Sequence, residues 1–387
     1  SYIPNIEIST FEDGTSKFVL PNNNERKQWN LQYEVIEKIK SNYLPILDEK
    51  LLIYNTDTKA PKDLESIFVL PKIEMKQEKI EEDKKELDLD LLCNPTEHLL
   101  LFGDRESGKS TILYRLLQFA AKTHTEYKKI PIYIDLKRAD LSTHVINDIV
   151  HYLGIRKENI GDYLQHNNIL LLLDNVSFSK NQEKYLDKLL ELLRENPGIK
   201  VVSTAESIGD GEIPLEFLSQ QFFKICKVAN IKHFQSNQIR TLMKKWFGLR
   251  ENEKLNEQFE TIIETFHSLN IPTTPMAVSM FLWIVEKQES YKPKNNAAML
   301  QNFLEKLLDK HNKVEIRTED FDYQNQNSLL VHISKKMFDY NNINYRLSVL
   351  DLKTIIQQHF KEVGWTPKAS GKQPYYDWIP DYFTSVG

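Results

Sequence analysis

Residues Gly103 to Ser110 read GDRESGKS, a complete G-x-x-x-x-G-K-[ST] phosphate loop, and this octapeptide constrains the chain more than any other feature. Such a loop works only between a buried strand and the N-terminus of a helix, where backbone N–H groups converge on an anion. Both neighbours are legible. His98-Leu99-Leu100-Leu101-Phe102 is a short apolar strand, and from Thr111 onward Ile112, Leu113, Leu116, Leu117 and Ala120 fall on one helical stripe. Gly103 and Gly108 let the backbone curl with no Cβ in the way. Lys109 brings a flexible point charge to the β and γ phosphates, and Ser110 offers a hard oxygen to Mg²⁺. The run Gly103, Asp104, Arg105, Glu106, Ser107, Gly108, Lys109, Ser110 and Thr111 is therefore the candidate cradle, with ATP or ADP and Mg²⁺ as its expected ligands.

Around the loop the pattern alternates. After its helix come the strand 130–135, a helical stretch 143–153, the apolar run Ile169 to Leu173 ending at Asp174, a Leu-rich helix 182–194, a strand 200–204 and a short strand at 223–225. Near-continuous apolar strands separated by helices predict an α/β domain, a parallel sheet covered by helices on both faces. Beyond Ile231 the strand signals stop, and helices are expected at 235–247, 254–268, 274–288, 297–311, 327–339 and 350–361. Upstream, a polar stretch at 21–28 leads into a helical pattern around Trp29 to Ile39. Ile67 to Leu70 reads as a short strand, and the mixed-charge run 75–90 reads as a solvated helix or linker.

Asp174 ends the most apolar strand, where a carboxylate can hold the water shell of a Mg²⁺ gripped by Ser110. The next residues are Asn175, Val176, Ser177 and Phe178, with no acid to orient or deprotonate a water. A general base typically contributes ~10²- to 10⁴-fold, so slow or negligible turnover is expected. The strand ending in Ser203-Thr204 can aim hydroxyls at a γ-phosphate, yet Ala205 and Glu206 come after it with no cation.

Composition excludes several classes. Fifty basic residues against 55 acidic, with no basic block, make duplex nucleic acid a poor default partner. No apolar stretch is long enough to span a membrane and the N-terminus has no signal pattern, so an intracellular, cytoplasmic protein without a membrane partner is expected. Cys93 and Cys226 lie far apart and read as structural thiols. No histidine pair has a metal spacing such as H-E-x-x-H. Because the chain begins with Ser and ends on a Gly after an aromatic run, it reads as a segment of a longer polypeptide.

In order and spacing these motifs resemble the STAND class of P-loop NTPases, and its NACHT branch in particular. IPIYIDLKR at 130–138 is similar to the family's second strand. VANIKHFQSNQIRTLMKKWF at 228–247 resembles its exit from the nucleotide domain. TTPMAVSMFLWIVEK at 273–287 resembles the helix whose leading proline, here Pro275, faces the adenine. NNAAMLQNFLEKLLDK at 295–310 resembles the helix after that one, and SLLVHISKKMF at 328–338 the opening helix of a winged-helix domain. The resemblance implies a nucleotide-binding domain at 92–228, a helical domain at 229–312 and an incomplete winged helix at 313–387. Before these lie a strand and charged linker at 67–91 and a mostly helical region of illegible role at 1–66. It further implies a nucleotide-gated switch that self-associates on activation and drives a fused effector, with effector and sensor outside this segment, often in anti-phage defence or innate immunity.

The departures fall on catalysis. Val176 and Ser177 replace the family's acidic pair, and Thr204, Ala205 and Glu206 replace its Thr-Ser-Arg. Three alternatives remain: an ATPase drawing its base from Asp135, Glu206 or a neighbouring subunit, a P-loop small-molecule kinase, and a winged-helix DNA-binding regulator. The last would need a basic recognition helix, and 351–365 carries a neutral balance.

Overall fold

The computed structural model describes residues 7–10, 16–19, 23–51, 61–76, 87–137, 141, 144–177, 180–208, 212–248, 253–287, 294–295, 297–302, 323–339 and 349–364. Two compact units divide the chain after Ser279. The first holds an α/β sheet in which the phosphate-loop strand is central.

Strands β1 (Glu7–Thr10) and β2 (Ser16–Val19) form an antiparallel hairpin that no sequence pattern announces. The main sheet contains β3 (Ile73–Met75), β4 (His98–Gly103), β5 (Lys129–Asp135), β6 (Asn168–Val176), β7 (Ile199–Glu206) and β8 (Cys226–Ile231), in the order β3-β8-β4-β7-β6-β5. All neighbours are parallel except β3 on β8, so the expected parallel sheet carries one antiparallel edge. The interior strands are apolar on both faces because helices cover both: Leu100, Leu101, Phe102 and Ile169 to Leu173 are all inaccessible to solvent.

Helices α1 (Asn23–Asn42) and α2 (Leu44–Glu49) precede the sheet. Then come α3 (Lys109–Lys122), α4 (Val145–Leu153), α5 (Ile160–His166), α6 (Lys180–Glu195), α7 (Ser236–Phe247), α8 (Glu253–Ser268) and α9 (Pro275–Lys287). The predicted stripe of α3 is its buried face: Ile112, Leu113, Leu116, Leu117 and Ala120 are each at most 1% exposed. Helix α1 puts Val35, Ile36 and Ile39 into the same core, and Tyr43 stacks on Tyr152 with ring centroids 4.3 Å apart. That gives the N-terminal helix a packing role.

Two strand expectations shift. Asp63 caps a helical turn at Leu64–Ile67 by accepting from Ser66 N, so the edge strand begins only at Ile73. Likewise Gln221–Lys224 is a helical turn, and the last strand runs from Cys226 to Ile231. Most of the mixed-charge run, most of the expected 297–311 helix and the aromatic cluster at 375–383 lie outside the described residues. The second unit contains α10 (Tyr323–Asp339) and α11 (Val349–Glu362), which pack on each other.

Candidate nucleotide-binding site

The carboxyl ends of β4, β7, β6 and β5 meet on one edge of the sheet. Gly103 pairs in register with Glu206, and Asp135 with Asp174, so four strand ends place a loop and three carboxylates side by side. In open α/β sheets this edge is where ligands bind.

The loop itself is dictated by its residue types. Gly108 has φ +85°, a left-handed conformation that costs an L side chain ~1–2 kcal/mol, and it caps the N-terminus of α3. A Cβ on Gly103 would collide with Ser107 Oγ. Lys109 turns back into the loop and its Nζ donates to the carbonyls of Gly103, at 2.8 Å, and Asp104, at 2.6 Å. Burial pulls the Lys109 ammonium below its ordinary pKa, while Glu206, Asp174 and Asp104 act against that shift. The ammonium is thus held inside the loop by its carbonyls.

The remaining loop side chains divide by exposure. Ser107 is fully buried and its hydroxyl has no hydrogen-bond partner among the described residues. Asp104 Oδ1 accepts from Ser207 Oγ at 2.5 Å, and its Oδ2 lies 3.3 Å from His233 Nε2. Arg105 is exposed and donates to Glu206 at 2.7 Å, while Glu106 sits on the surface at φ +61°. Ser110 and Thr111 are half-buried in the first turn of α3. Pro275 comes to the loop: its Cγ lies 3.4 Å from where a Cβ on Gly108 would stand.

Asp174 is buried and fully engaged. Its Oδ1 accepts from Thr204 Oγ1 at 2.5 Å and from Asn175 N at 3.0 Å, and its Oδ2 accepts from Tyr133 Oη at 2.9 Å. Burial, then the adjacent Asp174, push the Tyr133 hydroxyl far above its usual pKa, so it stays protonated as a donor. The β6–β7 ladder breaks between Leu173 and Val176, and Asn175 takes φ +61°, which turns its amide to donate to Asp135 Oδ1 at 2.9 Å. Asparagine tolerates that conformation better than most residues.

The structure therefore brings Lys109, Asp174, Glu206 and Pro275 to the loop. Among the described residues no hydrogen bond joins Ser110 to Asp174. The expected aim of the Ser203 and Thr204 hydroxyls differs: Ser203 donates to Leu99 O at 2.9 Å and Thr204 to Asp174, so both are absorbed inside the sheet. Tyr133, Ser207 and His233 were invisible as site residues because each is ordinary in its own segment.

The fold and this loop define a P-loop-type α/β protein, with the loop at the carboxyl edge of the sheet. No protein-family model matches the chain, and no curated protein matches it. Solved structures with likeness to it include the ORC2 protein of Aeropyrum pernix in ADPNP and ADP complexes, 12% identical over 77% of this chain and 84% of that one, with a TM-score of 0.40. DnaA from Aquifex aeolicus bound to AMPPCP is 14% identical over 77% and 90%, with a TM-score of 0.35. The Aeropyrum pernix ORC1 protein in complex with DNA is 14% identical over 73% and 76%, with a TM-score of 0.38.

Proposed function

We propose that the chain is a nucleotide-dependent switch of the STAND type, NACHT branch, that holds ADP or ATP with Mg²⁺ and turns over slowly or not at all. The loop from Gly103 to Thr111 takes the phosphates, Ser110 and Asp174 take the Mg²⁺ shell, and Pro275 faces the base. The observation that supports this reading is that the three carboxylates at the strand ends are already engaged. Asp135 accepts from Asn175 Nδ2 and Lys137 N, Glu206 pairs with Arg105, and Asp174 has three donors. The loop keeps the residue types that would grip phosphate, while the strand-end carboxylates among the described residues are tied up in hydrogen bonds and ion pairs.

In such a switch, nucleotide at 1,000 times its Kd stabilises the closed form by about 4 kcal/mol, which a trigger must overcome through preference for the open form. Effector and sensor belong to other parts of the polypeptide, and activation proceeds by self-association, in anti-phage or immune signalling. No described helix is long and apolar enough to cross a membrane.

Denaturing the purified protein and identifying the released nucleotide tests the proposal. ADP near one equivalent is expected; a protein that is empty and fails to bind ATP with Mg²⁺ removes the nucleotide role. A second reading, an ATPase using Glu206, is favoured by one observation: Glu206 faces Gly103 in register and acts on Lys109. Steady-state hydrolysis abolished by both Glu206→Gln and Lys109→Ala selects it.

A further inference from the structure

The second unit contains a cluster that the phosphate site does not use. His332 lies midway along α10, and His359 and Glu362 lie in the last turn of α11, three residues apart and so on one helical face. The two imidazole centroids are 4.7 Å apart with planes at 45°, and His332 Nδ1 lies 3.8 Å from Glu362 Oε2. One donor atom from each of the three residues lies within 4.8 Å of the others.

We propose that His332, His359 and Glu362 bind a divalent transition metal, Zn²⁺, that bridges α10 and α11. Three observations point the same way. First, the donor set is right: two imidazoles and one carboxylate suit Zn²⁺ rather than Mg²⁺ or Ca²⁺, which prefer all-oxygen shells. Second, both imidazoles are largely withdrawn from solvent, and one ring nitrogen is left unpartnered. His359 is 6% exposed, and the buried His332 Nε2 has no hydrogen-bond partner among the described residues. Third, the spacing is close to that of a coordination sphere. Bonds of about 2.0–2.1 Å in tetrahedral geometry separate donor atoms by about 3.4 Å, so closure takes roughly an ångström of side-chain rotation. The half-exposed Glu362 side chain has room for it.

A plain His332–Glu362 ion pair would explain one of these contacts, but not a second imidazole packed against the first. Three protein ligands leave a fourth position for water. Because α10 and α11 supply every ligand, the ion would fix their packing. The site is independent of the phosphate loop in donor chemistry and in the residues that form it.

The test uses the full chain, stripped with chelator and titrated with Zn²⁺ by calorimetry, with Co²⁺ as an optical probe. One equivalent is expected, with Co²⁺ d–d bands of four-coordinate type and a thermal midpoint raised by Zn²⁺. His332→Ala and His359→Ala should each weaken binding by at least ~100-fold, since even groups that only orient a ligand are worth 10- to 100-fold. Glu362→Gln should weaken it less, and Lys109→Ala should leave it unchanged. Should either alanine variant misfold by circular dichroism, His332→Gln and His359→Gln keep the bulk and replace it. Absence of stoichiometric Zn²⁺ binding, or unchanged affinity in both histidine variants, overturns the proposal.

Discussion

Replacing Asp174 with Asn separates the folding role of this residue from its proposed role toward a metal. All three of its partners are donors: Thr204 Oγ1, Asn175 N and Tyr133 Oη. An Asn that keeps its oxygen toward Thr204 and Asn175 turns its NH₂ toward Tyr133, whose hydroxyl can rotate to accept. Charge-assisted bonds of ~1.5–3 kcal/mol then become neutral ones of ~0.5–1.5, a loss of about 3–4 kcal/mol over three bonds. Against this, a carboxylate buried to 1% exposure no longer has to be kept out of water, a saving of several kcal/mol. The two terms nearly cancel, so Asp174→Asn should fold with a stability within about 2 kcal/mol of the parent. Asp174→Ala removes the same charge but leaves no acceptor for these donors. It strands up to three donors at ~1–3 kcal/mol each, a cost of about 3–9 kcal/mol before the removed charge is counted.

Nucleotide binding should respond in the opposite order of subtlety. A unit charge some 4 Å from the ion contributes up to about 4 kcal/mol per charge at an effective dielectric of 20, of which solvent leaves a part. The gain in ATP affinity on adding Mg²⁺ should therefore shrink by at least ~10-fold in Asp174→Asn, about 1.4 kcal/mol. Denaturant titration gives the stability, and calorimetry with and without Mg²⁺ gives the binding. An Asp174→Asn protein that folds normally and keeps its full Mg²⁺ dependence would refute the metal role. One that unfolds would refute the hydrogen-bond argument.

In the proposed site Lys109→Ala removes the charge-assisted contact to phosphate but also the two carbonyl bonds held in the loop, so a net ~2–4 kcal/mol is expected. ATP and ADP should bind ~30- to 1,000-fold more weakly by calorimetry. Gly108→Ala meets only Pro275, its Cγ at 3.4 Å, so its cost is the left-handed backbone, ~1–2 kcal/mol, read as a lower thermal midpoint with weaker phosphate binding. Burial lowers the pKa of His98, helped by Lys200, and that of His124. In both cases the unfolded chain binds the proton more readily, so stability holds above about pH 6.5 and falls as the pH drops below it. Urea midpoints at about pH 7.5 and about pH 5.5, on either side of that value, should show the decline. His98→Asn, which still offers an acceptor to Val201 N, should make it shallower.

The loop, α3 and the strands beginning near 129, 168 and 199 were legible because each is a local pattern: glycine geometry, a 3.6-residue stripe, or a continuous apolar run. Strand order was not, since it depends on which distant strand fills each place. The insertion of β7 between β4 and β6 is what carries Thr204 to Asp174 and Glu206 to Gly103. Periodicity also failed at Ile67–Leu70. Those residues are apolar because Ile67 and Phe68 are buried, but Asp63 caps a helical turn there and the ladder starts at Ile73. The proximity of His332, His359 and Glu362 is not legible in the sequence because they sit on two separate helices, and no sequence window spans them.

Asp104 and Gly108, at opposite ends of the loop, touch different segments that act as one piece. Asp104 meets His233 just after β8, and Gly108 meets Pro275, the first residue of α9. Those two segments are tied to each other: Phe234 N donates to Thr273 O and Thr273 Oγ1 donates to Phe234 O, both at 2.8 Å. Thr274 then caps α9 by accepting from Ala277 N, with proline in the first helical position where its missing N–H costs nothing. Packed atoms do not yield continuously. A phosphate that reshapes the loop must therefore either leave both contacts intact or displace the 232–235 and 272–275 segments together. The start of α9 is in this way tied to the same few atoms that would face the nucleotide.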